Sequence, residues 1–388
     1  ELNYLCAAGV CFMFLVALNK KLRDQNWFTI NLIKEPDLMN ILDLVSLGTV
    51  CDVVPLIGIN RAFVRQGLKI LKKKNNLGLK TLIEVCNIEK TITAHELGYA
   101  LGPRINAGGR VGMSTHGAEL LLNQNPKDAF KLALDLNTFN EERKILETEL
   151  LNKILNVNYK NSTEPVVILY GENWHEGIIG IIASRVKEKF NKPTIIISVN
   201  GGIGKGSGRS IPGFDLGSAV IGAVQSGLLS KGGGHKMAAG FTINMDKINE
   251  FKDFVFRRFK SININLEEKK NYYFDIEIAP SAVNIEFYEK INILAPFGSG
   301  NSEPRFVIKD LKIVNSKIVA DKHIKVVLVG SDSSILRAIS FNSVETTLGS
   351  YLLKKNIKSF DIAGKLSLNE WRGRKNVEFI IDDISVIK

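Results

Sequence analysis

Residues 201–240, GGIGKGSGRSIPGFDLGSAVIGAVQSGLLSKGGGHKMAAG, hold 13 of the chain's 33 glycines. Glycine weakens helices and strands alike, so such density points to backbone that turns tightly or comes close to a ligand. Two pieces carry chemistry. In KGSGRS, Lys205, Ser207, Arg209 and Ser210 stand among glycines; in KGGGHKMAAG, His235 follows Gly233 and Gly234. Glycine turns with free N–H groups, hydroxyls and an arginine fork suit a phosphate, and a histidine at the lip can donate to a phosphoryl oxygen. The competing reading is ordinary glycine turns in an α/β domain; two such runs on either side of an apolar, helix-like segment weigh against it. Against Lys205, Arg209, Lys231 and Lys236 this stretch carries one acid, Asp215. Its ligand is expected to be anionic.

The rest of the chain sets bounds. Its 388 residues suffice for two or three domains with their own cores. A net charge of +11 favours a polyanionic partner without identifying one. Cys6, Cys11, Cys51 and Cys86 show no CxxC spacing and lie in apolar runs, so buried thiols are expected rather than zinc ligands or disulfides. The uncharged residues 2–18 are short for a membrane span and lack a basic leader. They are expected to form a helix buried in an α/β core, and the start at Glu1 reads as a fragment beginning within a domain.

Helices are expected at about 4–23 and near 36–47, followed by LGTVCDVVPL. There Asp52 interrupts an apolar run, which is unfavourable unless the carboxylate is hydrogen-bonded, held by a cation, or a cap or turn before Pro55. A basic helix (about 59–74) and a short one (near 78–86) lead to LGPRINAGGRVG, where Arg104 and Arg110 bracket small residues. This reads as a turn with room for a phosphate between two guanidinium forks. Leu132, Leu136, Phe139, Arg143, Leu146 and Leu150 recur at helical steps, predicting a long amphipathic helix with a solvated polar face. A βαβ unit follows, with His175 at the start of its helix, where N–H groups favour anions, and Arg185 one helix face further on. From about residue 271, short alternating runs predict a small β-barrel. Its Trp371, beside Arg372 and Arg374, offers a stacking plane among cations for single strands; the alternative is a hairpin-end Trp packed on the barrel.

KGSGRSIPGFDL and GGGHKMAAG resemble the DHH-associated domain of the DHH phosphoesterase superfamily. SLGTVCDVVPL, LGPRINAGGRVG, WHEGIIGIIASR, LAPFGSGN and LNEWRGRKNVEFIIDDI are similar to the RecJ family of 5′-to-3′ single-strand DNA exonucleases, with Gly208 where relatives usually have a small residue such as alanine. The resemblance implies an α/β fold in which part of a DHH domain (1–124) and a DHH-associated domain (161–265) are joined by a long connector helix (125–160) and followed by an all-β OB-fold barrel (266–388). It implies a centre of Mn2+ or Mg2+ ions with Asp52 as one ligand. It also implies a strand pocket lined by Arg104, Arg110, His175, Arg185, Lys205, Ser207, Arg209, Ser210, Gly233, Gly234 and His235, with Arg209 and His235 in the catalytic role and Trp371, Arg372 and Arg374 on the barrel. The family's aspartate cluster and His pair are missing from this sequence, so the chain alone is not expected to cut DNA. A cytoplasmic, membrane-free monomer acting on single-stranded DNA with a helicase and a single-strand-binding protein goes with the resemblance. The alternatives are a DHH-type oligoribonuclease or nucleotide phosphatase, whose relatives generally lack the barrel, and a non-catalytic single-strand-binding protein.

Overall fold

A run in which glycine alternates with Lys205, Ser207 and Arg209 gives an extended chain one bare face and one polar face. That run is a strand in the structure, a computed structural model describing residues 2–155, 164–262, 271–354, 359–371 and 374–386, without the side chains of Trp371 and Arg374. The chain divides into two units: Glu1–Lys73 with Thr91–Gly98 and Lys270–Lys388, and Lys74–Lys90 with Tyr99–Lys269.

In the second unit, β1 (Val167–Glu172), β2 (Thr194–Asn200), β3 (Ile203–Arg209), β4 (Lys231–His235) and β5 (Ala238–Asn244) form one sheet in the order β1-β2-β3-β5-β4. β1 and β2 are parallel across the helix Glu176–Phe190, which is the expected βαβ unit. The other pairings are antiparallel. Both glycine runs are therefore strands rather than turns, and their backbone serves the sheet ladder. The turn proper is Gly201-Gly202, whose φ values of +56° and +79° fit the two-residue hairpin between β2 and β3.

The glycines of β3 answer to packing. One sheet face carries Ile195, Ile197, Phe241 and Ile243 against the helices Leu216–Gln225 and Ile248–Lys260. A Cβ on Gly206 would stand 2.1 Å from the Phe241 ring, and one on Gly208 would stand 2.6 Å from Leu216 Cδ2. On the other face Ile196, Ile178, Ile179 and Ile182 pack with Leu150 and Ile154, which end the 30-residue helix Pro126–Leu155. LGPRINAGGRVG is not a turn either: it forms the helix Gly102–Val111, with Ala107 and Gly108 buried. Arg104 and Arg110, six positions apart on a helix of 3.6 residues per turn, leave it on different faces and make no common fork.

The first unit contains β6 (Ile276–Glu277), β7 (Phe306–Val319), β8 (His323–Val329), β9 (Ile335–Ser340), β10 (Phe360–Trp371) and β11 (Arg374–Val386). Five of these close a barrel in the order β7-β8-β9-β11-β10, with β10 returning to β7 and β9 parallel to β11. This is the small barrel expected from the alternating runs, of the OB kind that the resemblance implied. β10 pairs with β7 only as far as Gly364 and β11 with β9 only as far as Phe379, opposite Leu366; beyond Leu366, β10 and β11 continue as a two-stranded ribbon to the Trp371–Arg374 pair. The same unit holds the helices Ala7–Asp24, Leu42–Cys51 and Gly58–Leu71. Expected burial of the first helix is met on one side only. Phe12 packs edge-on against Phe63, whereas Phe14 and Val10 are 66% and 53% exposed. Cys6 is buried as expected, but Cys11 is exposed because it lies on that open side. No helix among the described residues is long and apolar enough to cross a membrane.

The two kinds of glycine can be separated by experiment. Gly206→Ala should lower stability in denaturant unfolding by about 1–3 kcal/mol through overpacking. Gly233→Ala, whose Cβ would meet nothing within 4 Å, should change it by less than about 0.5 kcal/mol.

Candidate phosphate site

Pairing register decides which side chains share a face. Arg209 lies opposite Ala238, which lies opposite His235; the next rows are Ser207, Gly240 and Gly233, then Lys205, Thr242 and Lys231. Residues paired across a sheet point to one side, so Arg209, Ser207, Lys205, His235 and Lys231 all stand opposite the Phe241 core. Arg209 and His235 are two strands apart, roughly 10 Å between Cα atoms. Between them the floor is nearly bare backbone. A Cβ on Gly240 would find only the Gly206 carbonyl at 3.8 Å, and one on Gly233 nothing. Gly234, paired with Ala239, belongs to the opposite face.

Arg209 emerges beside the helix Glu176–Phe190 at Gly180, where a Cβ would stand 3.1 Å from both Arg209 Nη2 and Ser207 Oγ. Arg209 Nη1 donates to Ser207 Oγ at 3.2 Å and to the Gly208 carbonyl at 2.8 Å. Its Nε and Nη2 remain open among the described residues. Burial, and then the nearby Arg110, hold this guanidinium below the usual arginine range. Arg110 Nη1 donates to the Gly177 carbonyl at 3.0 Å, and a Cβ on Gly177 would stand 2.2 Å from the Arg110 carbonyl. Burial and then Arg143 press the Arg110 guanidinium down as well, with Glu147 acting in the opposite direction.

Arg143 and Glu147 were not singled out in the sequence as site residues. They lie on the inner side of the long helix, with Leu136 and Leu150, where both side chains are 13% exposed and paired at 3.0 Å. Arg143 also donates to Asn140 Oδ1 at 3.2 Å, and its Nε is buried without a partner among the described residues. Arg185 Nε reaches the other Glu147 oxygen at 3.3 Å. Arg143 and Arg185 thus share the Glu147 carboxylate, Arg110 lies within electrostatic reach of Arg143 and Glu147, and Arg209 lies within reach of Arg110. In sequence an Arg and a Glu four apart look like any solvated helix pair. The nearest signal was the GIIG run Gly177–Gly180, two glycines one turn apart in the apolar first half of its helix.

The remaining expected residues fall elsewhere or at the margin. His175 caps the helix Glu176–Phe190, its Nδ1 accepting from Gly177 N–H at 3.1 Å, so the ring proton is on the exposed Nε2 side. Arg104 is engaged in structure, donating to Asn137 Oδ1 and the Ala100 carbonyl, both at 2.9 Å. Ser210 is buried, and its hydroxyl donates to the Phe214 carbonyl at 2.7 Å. Asp52 belongs to the other unit. It is exposed rather than enclosed by apolar neighbours, at the C-terminal end of the helix Leu42–Cys51, where the helix dipole disfavours a carboxylate. Val53 beside it has φ +57°, an unfavourable conformation for a β-branched residue. Among the described residues no three His, Cys, Asp or Glu side chains gather to hold a metal ion, so Asp52 alone does not complete a dinuclear centre. The side chains of Trp371, Arg372 and Arg374 lie outside the described residues.

An α/β domain of the DHH-associated kind followed by a closed OB barrel defines the class. Residues 163–261 match the DHHA1 domain and residues 274–383 the RecJ OB domain. The chain belongs to the RecJ family. It is 35% identical to the single-stranded-DNA-specific exonucleases RecJ of Dickeya dadantii and Escherichia coli, in each case over 98% of this chain and 67% of the relative. It is also similar to the crystal structure of RecJ from Thermus thermophilus in complex with Mn2+, with a TM-score of 0.81 and 27% identity, over 98% of this chain and 53% of that one. The chain therefore spans about two thirds of those two relatives and about half of that structure.

Glu147→Gln tests the charge imbalance. Loss of the shared carboxylate should lower stability by about 1–3 kcal/mol in anion-free buffer. Inorganic phosphate should restore part of that loss by binding the folded form. Melting temperatures with and without phosphate measure both, and an unmoved variant would mean that the arginines take no anion.

Proposed function

We propose that this chain grips the 5′-phosphorylated end of a single DNA strand for hydrolysis of the RecJ kind, as part of a metal-dependent 5′-to-3′ exonuclease of DNA repair and recombination. The observation that carries this reading is a run of four guanidinium groups, in which Arg143 and Arg185 hold Glu147, Arg110 lies beside Arg143, and Arg209 lies beside Arg110 with its Nε and Nη2 open among the described residues beside Ser207. Such a set has surplus positive charge in a fixed, partly dry geometry, which is what a terminal phosphate recognises. Ser207 and Arg209 hold the phosphate, His235 donates to a phosphoryl oxygen from the same sheet face, and Lys205 and Gly233 extend the floor. Arg110, His175 and Arg185 flank it.

The relatives' names are those of single-stranded-DNA-specific exonucleases, and the Thermus structure is a Mn2+ complex. A divalent ion supplies water activation and charge stabilisation in such chemistry. Asp52 fits as one of its ligands by resemblance, while the described residues do not complete the centre. This chain by itself is accordingly proposed to bind strands without cutting them. The barrel, with Trp371, Arg372 and Arg374, favours this reading over an oligoribonuclease or nucleotide phosphatase. A helicase and a single-strand-binding protein as partners, a monomeric state and a cytoplasmic location go with it.

Arg209→Ala checks the assignment. Binding of oligonucleotides with a 5′-phosphate should weaken about tenfold or more, in line with loss of a charge-assisted bond, while the 5′-hydroxyl forms change little. Equal losses on both would show that Arg209 does not read the terminal phosphate.

A further inference from the structure

Between Asp52 and Glu84 the sequence has no acid and seven Lys or Arg residues. Most of these fall on the helix Gly58–Leu71 and the turn that ends it. At 3.6 residues per turn, Arg61, Arg65, Lys69, Lys72 and Lys73 share an arc of about 120°. The opposite side is fixed. Phe63, Val64, Gly67, Ile70 and Leu71 are buried, and a Cβ on Gly67 would stand 2.2 Å from the Leu42 carbonyl, so the helix cannot roll. Arg65, Lys69, Lys72 and Lys73 are exposed and have no ion-pair partner among the described residues.

Helix stability explains only part of this pattern. Lys69, Lys72 and Lys73 complement the negative end of the helix dipole, but Arg61, near the N-terminus, faces its positive end. Arg61 instead marks where the stripe begins. Its Nη2 donates to the Leu294 carbonyl at 2.5 Å, in the LAPFGSGN loop before the barrel. Leu56 N–H donates to the Ser299 carbonyl of the same loop at 2.6 Å, and a Cβ on Gly298 would stand 2.8 Å from Leu56 Cδ1. Helix and barrel loop are thus docked within one unit, and the cations run on from the contact.

We propose that this stripe is a second nucleic-acid contact, a track for the phosphate backbone of a single strand that extends from the barrel loop. It rests on the reading of the chain as a strand-binding protein, but it is separate from the 5′-phosphate pocket. Its contribution comes from counterion release along the strand, so it depends on strand length and salt and not on the chemistry of the 5′ end.

The test compares the chain with its Arg65→Gln/Lys69→Gln/Lys72→Gln variant, surface changes that keep good helix formers. Fluorescence anisotropy follows 5′-phosphorylated oligothymidylates of about four and about twenty nucleotides, sizes below and above one barrel's site. On the long strand the variant should bind more weakly, with the slope of log K against log salt reduced by about two, at roughly 0.7 per contact. Its short-strand affinity and 5′-phosphate preference should match those of the parent. An Arg65→Lys variant should keep the slope. Equal slopes and long-strand affinities in the Gln variant and parent would overturn the proposal. So would binding of the parent to phosphatidylserine vesicles that the Gln variant loses while keeping its strand affinity, since the stripe would then be a membrane contact. Loss of the 5′-phosphate effect in the parent would count against the pocket alone, because the slope on the long strand decides the stripe independently.

Discussion

The second unit depends on the contact between the glycine face of β3 and the side chains beneath it. Phe241 and Leu216 occupy the volume that Cβ atoms at Gly206 and Gly208 would need. Strand geometry then leaves Lys205, Ser207 and Arg209 no choice of face. The same register runs across β5 to β4 and brings His235 level with Arg209. A hydrophobic packing constraint on one side of the sheet is therefore what aligns polar groups on the other.

The arginine set is assembled by three further close approaches, each at a glycine. Gly177 admits the backbone of Arg110, Gly180 admits the guanidinium of Arg209, and Gly108 lies against Leu136 of the long helix. Burial first, and the neighbouring cation second, hold the Arg110 and Arg209 guanidinium groups below their ordinary range. Glu147 offsets part of the repulsion at Arg110.

Much of this was legible in the sequence, though not always for the right reason. The barrel followed from alternating runs, and its strands fall where the alternation placed them because period two is a local property. Glycine density drew attention to Arg209, Ser207 and His235, which do share a sheet face, but suggested turns, since composition cannot tell a bare strand face from a bend. Arg104 and Arg110 looked like one fork because their spacing was judged without the helix that separates them. Arg143 and Glu147 were invisible: only tertiary packing distinguishes their pair from a surface one. Asp52 looked enclosed because its neighbours in sequence are apolar, whereas the helix end turns it outward.

The ribbon formed by β10 and β11 past Leu366 gives the barrel an arm whose length is counted in residues. Removing a matched pair from each strand would shorten it by about 6–7 Å and keep every remaining side chain on its side. Removing one from each would reverse the sides of everything toward the tip. Insertions and deletions in this arm should therefore survive in even steps, and its reach can vary between homologues only in increments of one full pleat.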